Sequence, residues 1–207
     1  MIIHPRRFKN ILLVGLDLDL VSELRNNKIN IKGYTFNKPK KKSGLKYLGS
    51  IKEIKKINKN TGILVADSSI EIKKFVYNNF KKNICNFISK HAILPKKNKI
   101  GLGSIIQSNT FISENVLIGN CVKINVGCQI HHDVEIGDFT ILGPNSVVLG
   151  DTKIKEDCFI GSSSTIRNKI TVLSNTFLKM GTVLTKSTLT NSVYYGNPGK
   201  LQKNEIK

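Results

Sequence analysis

Two adjacent histidines and the aspartate after them, His131, His132 and Asp133, are the group in this sequence best suited to chemistry. Histidine is the side chain whose ordinary pKa suits proton transfer near neutral pH, and a neighbouring carboxylate can fix its tautomer and support its charged form. Consecutive residues of a flat strand point to opposite sides, so one histidine should face outward and the other should turn partly toward the core or a corner. We interpret His132 as the outward one. The alternative is a pair of surface polar residues without a catalytic role.

The elements that position these histidines follow a six-residue repeat. An aliphatic anchor recurs at every sixth position fifteen times in succession, and a small or β-branched residue follows each anchor four positions later. A period of six does not fit an α-helix and is too regular for separate hairpins. It predicts a parallel β-helix in which three hexapeptides close one coil of about 18 residues, with about five coils in all. The anchors are Ile100, Ile106, Ile112, Ile118, Ile124, Ile130, Ile136, Leu142, Val148, Ile154, Ile160, Ile166, Val172, Leu178 and Leu184.

Stacking of the coils predicts a neighbour for His132. Residues one coil length apart in the sequence should lie on successive coils, which puts Gly150 directly above His132. A glycine leaves room for a ligand to approach, and its backbone N–H can polarise a carbonyl oxygen. A base and an oxyanion donor on one groove point to acyl transfer.

The chain before the repeat predicts a small α/β domain. Strands are predicted at residues 10–15, 29–36, 62–66 and 84–88, with helices at 16–27, 50–56 and 69–81 between them. Pro95 and the lysine run after it mark the boundary to the β-helix. We therefore predict an α/β domain over residues 1–95, a β-helix over 96–189, and a tail over 190–207 that leaves the β-helix and packs back on it.

The formal net charge of +19 belongs almost wholly to the first half of the chain. Residues before Ile100 include 23 Lys or Arg against 6 Asp or Glu, and the remainder has 10 against 8. Such a surface attracts phosphorylated molecules, nucleic acid and acidic membranes alike, but no aromatic interleaving or nucleic-acid motif accompanies it. We favour a solvated lysine-rich face over a phosphate-bearing ligand, and expect no nucleic-acid partner and no membrane insertion. Contact of the lysine-rich loop at 38–42 with phosphate is an open alternative.

The cysteines and the apolar runs argue against several classes of protein. The four cysteines show neither CxxC spacing nor a histidine at ligand spacing, so we predict buried thiols, no disulfide and no metal site. No apolar run reaches the roughly 18 residues of a membrane span. The opening segment MIIHPRRFKNILLVG lacks the apolar core of a signal peptide, which predicts a cytoplasmic protein.

The turn after the first predicted strand bears on cofactor binding. In a dinucleotide-binding βαβ unit this turn reads G-x-G-x-x-G. Here residues 15–19 read GLDLD, with one glycine and two carboxylates. We therefore expect no bound NAD, and a phosphate at this turn would meet acidic repulsion.

The order of the domains and four segments, HHDVEIGDF, GSSSTI, KMGTVLTK and YYGNPGK, together resemble bacterial sugar acetyltransferases with a left-handed parallel β-helix. The chain is similar to amino-sugar N-acetyltransferases of the bacillosamine and perosamine type and to sialic acid O-acetyltransferases, over nearly its whole length. The resemblance implies a left-handed β-helix behind a Rossmann-like domain that binds a nucleotide-sugar. It also implies a homotrimer, with acetyl-CoA as co-substrate in the groove between neighbouring β-helices.

The resemblance also implies roles for individual residues. His132 matches the base that takes a proton from the sugar amine, and Asp133 matches the residue that orients the imidazole. Gly150 matches the position whose amide faces the thioester carbonyl. The pantetheine arm of CoA is expected along Ser162, Met180 and Gly181, and the nucleotide at Gly15, Leu16, Asp17, Phe36, Asn37 and Asp67.

Two features depart from the family pattern. Many relatives carry a second histidine nine residues after the base, where it contacts the acetyl group, and Ile141 stands there instead. The usual glycine-rich first turn is replaced by residues 15–19, and the usual acidic pair after the second strand by Phe36 and Asn37. Nucleotide recognition and the identity of the acyl group are therefore open.

The sequence supports three functional hypotheses. The leading one is an acetyl-CoA-dependent N-acetyltransferase for a nucleotide-linked amino-deoxysugar, in surface glycan or O-antigen synthesis. O-acetylation of sialic acid or another sugar is second, because a hydroxyl demands stronger base help than an amine. A non-catalytic trimeric scaffold is third, suggested by Ile141 and the altered turn. The sugar, its ring position and the nucleotide are not specified.

Overall fold

The computed structural model of the protein describes residues 7–40 and 44–202. The chain divides into two compact units, one up to Ile88 and one from Ser89. Three sequence expectations fall partly outside the described residues. They concern the start of the chain (1–6), positions 41 and 42 of the lysine-rich loop, and the end of the tail (203–207).

The first unit is built on a three-stranded parallel sheet with the strand order β2-β1-β3. Strands β1 and β3 are almost continuous runs of apolar residues, as expected of parallel strands covered on both faces, and all of β3 and the last four residues of β1 are buried. The elements are β1 Asn10–Val14, α1 Leu18–Asn26, β2 Ile31–Thr35, β3 Thr61–Val65, α2 Ile70–Phe80 and β4 Phe87–Ile88. The predicted βαβ opening is confirmed.

The helix predicted at residues 50–56 is wrong. This segment holds only a single 3-10 turn, Ile51–Glu53. Ser50 and Glu53 form a capping box that closes the turn, and Ile54 is already extended. Of residues 50–56 only Ile51 is buried, so the segment has no apolar face that would continue a helix.

The second unit is the predicted parallel β-helix, and its strands form three faces. Face 1 contains β5 Lys99–Ile100, β8 Leu117–Ile118, β11 Glu135–Ile136, β14 Lys153–Ile154 and β17 Thr171–Val172. Face 2 contains β6 Ile105–Ile106, β9 Lys123–Ile124, β12 Ile141–Leu142, β15 Phe159–Ile160, β18 Thr176–Leu178, β20 Ser192–Tyr195 and β21 Lys200–Leu201. Face 3 contains β7 Phe111–Ile112, β10 Gln129–Ile130, β13 Val147–Val148, β16 Thr165–Ile166 and β19 Val183–Leu184.

The core of the β-helix is the column of anchors read from the sequence. Each strand from β5 to β16 pairs in parallel with the next strand of its own face, one coil further along, as Ile130 does with Val148. Every anchor except Ile100 is buried, and so is every small residue four positions later except Ile170. Burial of such an aliphatic side chain contributes roughly 1.5–3 kcal/mol relative to exposure. The predicted repeat and its stacking are confirmed.

The corners of the β-helix depend on a backbone conformation that the repeat analysis overlooked. The third residue after each of the first fourteen anchors has a positive φ. Ten of these residues are Gly, Asn or Asp, the types that tolerate the left-handed region best. The fourteen are Gly103, Asn109, Asn115, Cys121, Gly127, Asp133, Phe139, Asn145, Asp151, Asp157, Ser163, Lys169, Asn175 and Gly181.

These corners make a testable contribution to stability. Asn109 is exposed and has φ 57°, so Asn109→Ala should lower the free energy of unfolding by about 1 kcal/mol through backbone strain alone. Asn109→Gly and the neighbouring control Ser108→Ala should each stay within about 0.5 kcal/mol of the wild type. Urea unfolding measures all three. Equal stability of the alanine and glycine variants at position 109 would contradict this account.

The tail stays in the stack for longer than predicted. Strand β20 continues face 2 as its next rung, and it pairs in parallel with β18 through Phe177 and Val193. The chain then turns, and β21 pairs antiparallel with β20. The chain therefore does not leave the β-helix at residue 190, because the alternation of β20 lets it bury Ser192 and Tyr194 on the last coil.

All four cysteines are buried, as predicted, and none forms a disulfide. Burial raises the pKa of the Cys85 and Cys158 thiols to about 12, so both stay protonated and unreactive at neutral pH. Among the described residues, no helix is long and apolar enough to cross a membrane.

Candidate active site

His132 lies at the corner where the chain passes from face 3 to face 1, between β10 and β11. The same corner recurs one coil above, between β13 and β14, and contains Gly150. The backbone N–H of Asp151 donates to the carbonyl of His132 at 3.1 Å, which ties the two corners together. We call this column of corners the His132 edge.

The imidazole of His132 is held by Asp133. Its Nδ1 lies 2.8 Å from Oδ2 of Asp133, and Nδ2 of Asn115 donates to the other carboxylate oxygen at 3.2 Å. The hydrogen bond from His132, followed by that from Asn115, lowers the pKa of Asp133. The carboxylate is therefore ionised at neutral pH and can only accept, so Nδ1 carries a proton, and in the neutral form of the ring the lone pair is on Nε2. The side chain of His132 is 57% exposed.

The imidazole packs against Gly150 as the stacking of the coils predicts. A Cβ at position 150 would lie 2.6 Å from Cε1 and 2.7 Å from Nε2 of His132, so no larger residue fits without moving the ring. The space that the sequence analysis gave to a ligand is thus filled by the imidazole, because the two corners lie only one strand spacing apart. The Gly150 carbonyl accepts from the N–H of Lys169, and among described residues the Gly150 N–H has no partner.

Sequence reasoning missed Asp151. A ligand atom of His132, one of Asp133 and one of Asp151 all lie within 4.8 Å of one another, so a second carboxylate faces the imidazole. The signal was available, because Asp151 stands one coil length after Asp133 in the sequence. All three side chains are exposed, and such clusters are common without a bound ion. We assign Asp151 to the surroundings of His132 and derive no metal site from it.

His131 is turned away from this cluster. It is half-buried, and its ring stands edge-on to that of Phe111 with 6.3 Å between the ring centres. The two histidines therefore differ as expected from strand alternation, with His132 outward and His131 packed on face 3.

The residues expected to contact CoA occupy a second column. Ser162 and Met180 lie at stacked corners between face 2 and face 3, and Gly181 follows Met180 with φ 69° and open space at its Cα. We call this column the Ser162 edge. Met180 is 79% exposed. Within one chain the structure brings His132 and Gly150 together, and it separates them from the Ser162 edge by the width of face 3.

Ile141, which stands in place of the second histidine of many relatives, lies on β12 in face 2. Its side chain is 1% exposed. An aliphatic residue at a buried position contributes to packing and offers neither a proton nor a hydrogen bond.

The expected nucleotide-binding residues of the first unit meet at the carboxyl edge of its sheet. Gly15, Phe36 and Asp67 follow β1, β2 and β3, and the order β2-β1-β3 places a topological switch point beside β1. The N–H of Gly15 donates to the carbonyl of Thr35 at 2.9 Å, and a Cβ on Gly15 would lie 2.5 Å from the amide nitrogen of Asp67. This contact requires glycine.

The two carboxylates at this edge already have partners. Asp17 caps α1 by accepting from the N–H of Leu20 at 2.9 Å, and Asp67 accepts from the N–H of Ser69 at 2.8 Å. Leu16, which precedes the cap, is half-buried. The helix N-terminus is thus satisfied by a carboxylate of its own chain, which disfavours a phosphate at the same place.

The segment after β2 offers a different surface. Phe36 is half-buried, and the ammonium group of Lys40 lies 4.9 Å from the centre of its ring. The hydroxyl of Tyr47 donates to the Phe36 carbonyl at 3.0 Å and fixes this segment. Asn37 is exposed. An aromatic ring, a cation and an amide at a strand end are suited to a base or a sugar rather than to a metal.

Comparison with known proteins gives a family match over part of the β-helix. A model described as bacterial transferase hexapeptide (six repeats) matches residues 115–150, a segment that includes His132, Asp133 and Gly150. No curated protein matches the chain by sequence.

Solved structures resemble the chain over nearly its whole length. The acetyltransferase domain of PglB from Neisseria gonorrhoeae FA1090, in complex with acetyl coenzyme A, is 18% identical with a TM-score of 0.85, covering 94% of this chain and 100% of that one. PerB from Caulobacter crescentus, in complex with CoA and GDP-perosamine, is 19% identical with a TM-score of 0.82, covering 94% and 97%. WeeI from Acinetobacter baumannii AYE is 20% identical with a TM-score of 0.81, covering 93% and 99%.

At these identities the likeness concerns the fold. The order of the units, the three-faced coil and the match to the hexapeptide model agree with the architecture read from the sequence. The chain therefore has the fold of the PglB acetyltransferase domain and of PerB, a small Rossmann-like α/β domain followed by a left-handed parallel β-helix of hexapeptide repeats.

Proposed function

We propose that this protein is an acetyl-CoA-dependent N-acetyltransferase that acts on the amino group of a nucleotide-linked amino-deoxysugar. One observation carries the proposal: an exposed imidazole, fixed at Nδ1 by an ionised carboxylate, lies beside a backbone N–H that has no partner among the described residues. The similarity to the acetyltransferase domain of PglB, and to PerB in complex with CoA and GDP-perosamine, supports the choice of substrates.

The geometry supports a division of labour among three residues. Nε2 of His132 accepts the proton that the sugar amine loses as its nitrogen forms a bond to the thioester carbon and the carbon–sulfur bond breaks. Nε2 of His132 then donates this proton to the thiolate of CoA as it leaves. Asp133 keeps Nδ1 protonated and stabilises the positive charge on the ring in between. The N–H of Gly150 donates to the carbonyl oxygen as negative charge develops there.

The position of the expected CoA residues favours a homotrimer. A pantetheine arm that touches Met180 and also reaches His132 must either cross face 3 or lie between the Ser162 edge of one chain and the His132 edge of another. Phe111 and Leu117 are exposed apolar residues one coil below His132, on either side of its edge, which supports a partner surface there. Light scattering of the purified protein tests this directly, and a monomer would contradict the shared groove.

We assign the nucleotide-sugar to the carboxyl edge of the first unit, with Phe36, Asn37 and Lys40 rather than the turn at Gly15–Asp17 as the main contacts. Asp17 and Asp67 already cap their own backbone and would repel a phosphate. Both acetyl-CoA and nucleotide-sugars are cytoplasmic metabolites, so we place the reaction in the cytoplasm, as a step in surface glycan synthesis.

The experiment that tests the function is a thiol-release assay with acetyl-CoA and a panel of UDP-, dTDP- and GDP-linked amino-deoxysugars. The proposal expects turnover with at least one amine and none with the matching hydroxyl sugar. Turnover with sialic acid or another hydroxyl acceptor alone would favour the O-acetyltransferase. If the protein binds neither CoA nor any sugar of the panel, the non-catalytic scaffold is the hypothesis that remains.

The charge of Asp133 can be tested apart from its backbone. Its φ of 58° lies in the region that asparagine also tolerates, so Asp133→Asn should fold normally while losing the ionised acceptor for His132. We expect kcat to fall by about 10–100-fold with little change in KM. Asp133→Ala adds backbone strain and should also lower the thermal midpoint. An Asn variant with wild-type kcat would show that the carboxylate does not orient the base.

A further inference from the structure

The first unit has a basic surface at the amino edge of its sheet, opposite the carboxyl edge described above. Strands β1 and β3 begin at this amino edge, and the residues just before them line a cavity of about 580 Å³. Arg7, Lys56, Lys59 and Lys82 contribute four cations to its lining, and no described residue of the lining is acidic. Among the described residues, none of the four cations has a salt bridge.

The walls of this cavity are tied together by hydrogen bonds. Lys9 donates its N–H to the Asn60 carbonyl at 2.9 Å, which joins the segment of Arg7 and Phe8 to the 56–60 loop. The side-chain amide of Asn83 donates to the carbonyls of Asn58 at 3.0 Å and Thr61 at 2.9 Å. Three separate segments that bear the cations are therefore held around one cavity before any ligand binds.

An apolar ring completes the cavity. Phe8 packs so closely on Gly62 that a Cβ there would lie 2.5 Å from the ring, and the guanidinium of Arg7 lies 5.5 Å from the ring centre. Contact with the ring orients the guanidinium. A second cavity of about 210 Å³ shares Phe8 and continues along the same edge, with Lys9 and Lys28 in its lining.

We propose that this amino-edge cavity binds a soluble small molecule bearing two or more phosphate groups, independently of the acetyl transfer proposed above. Four cations without carboxylate partners repel one another, and an anion with several charges relieves that repulsion. The volume is that of a small-ligand site. A membrane surface is disfavoured, because this edge exposes no large apolar side chain among its described residues to insert into lipid.

Calorimetric titration with sodium tripolyphosphate and with sodium pyrophosphate, at about 0.15 M salt to screen weak surface attraction, tests the proposal. The wild type should bind one equivalent per chain, and the His132→Ala variant should bind with the same affinity. A variant with Lys56→Ala, Lys59→Ala and Lys82→Ala should lose affinity at least about tenfold. The control removes the same charge from exposed lysines outside the cavity, through Lys32→Ala, Lys46→Ala and Lys90→Ala, and should bind within about twofold of the wild type.

Three outcomes would overturn the proposal. If the wild type does not bind tripolyphosphate, the cavity is not a polyphosphate site. If both triple variants lose the same affinity, the binding results from the net surface charge and not from the cavity. Co-sedimentation with phosphatidylserine vesicles in the absence of tripolyphosphate binding would assign the cavity to a lipid surface. Circular dichroism and the thermal midpoint of each variant show that the comparison is made between folded proteins. None of these outcomes depends on whether the chain transfers an acetyl group.

Discussion

Replacing His132 by alanine is expected to lower kcat by about 10²–10⁴-fold, the contribution usual for a positioned general base. The imidazole is exposed, its hydrogen bond is with the exposed carboxylate of Asp133, and it packs only on the backbone of Gly150. Its loss therefore removes little buried packing, and the thermal midpoint should barely change. Steady-state thiol release with the best sugar of the panel measures the effect.

His131 is the matched control for this variant. It is the same residue type one position earlier, but it packs on Phe111 and has no place in the proposed chemistry. His131→Ala should keep kcat within a few-fold while it lowers stability slightly. If His132→Ala retains most of its turnover, or both variants lose the same amount, the base must be sought elsewhere, and the amine itself would have to shed its proton to solvent.

Replacing Gly150 by alanine should lower kcat/KM by about 10–100-fold, because the His132 imidazole is displaced rather than lost. The added Cβ would lie 2.6 Å from Cε1 and 2.7 Å from Nε2 of His132, so the imidazole must leave its position. The φ of Gly150 is not positive, so the alanine backbone itself is unstrained.

The double variant Gly150→Ala with His132→Ala separates this steric mechanism from any other. Without an imidazole the new methyl group meets no ring, so the double variant should match His132→Ala in both turnover and unfolding free energy. Such non-additivity is expected only of residues in contact. If the two losses multiplied instead, the added methyl group would act on the substrate independently of His132, most simply by obstructing the approach of the thioester to the unchanged backbone N–H.

The β-helix could be read from the sequence because its signal is local and periodic. Each anchor and each small residue is repeated at a fixed spacing, and the stacking of Gly150 on His132 follows from arithmetic alone. The same arithmetic would have found Asp151, and the run of Gly, Asn and Asp three residues after the anchors would have found the left-handed corners. What it could not give was that the imidazole itself fills the space beside Gly150, since that depends on the side-chain rotamer of His132.

The first unit was less predictable because its features depend on contacts between distant segments. The segment at 50–56 has the composition of a helix but only one buried residue, so tertiary packing left it as a 3-10 turn. The cavity at the amino edge brings Arg7, Lys59 and Lys82 together from three segments, and no spacing in the sequence announces it. The excess of lysine was evident from the composition of the first half of the chain, but the clustering of these cations at the amino edge of the sheet was not.

The three-sided stack also fixes which changes in chain length the protein can accept. Deleting three hexapeptides removes one complete coil and leaves the corners of the remaining coils aligned. Deleting or adding a single hexapeptide turns everything after the change by one side of the triangle. A hexapeptide inserted between His132 and Ser162 would therefore carry Ser162 to the column that holds His132. Insertions and deletions between two columns of such a β-helix are therefore tolerated only in multiples of three hexapeptides, because any other length change separates the residues of a site that both columns share.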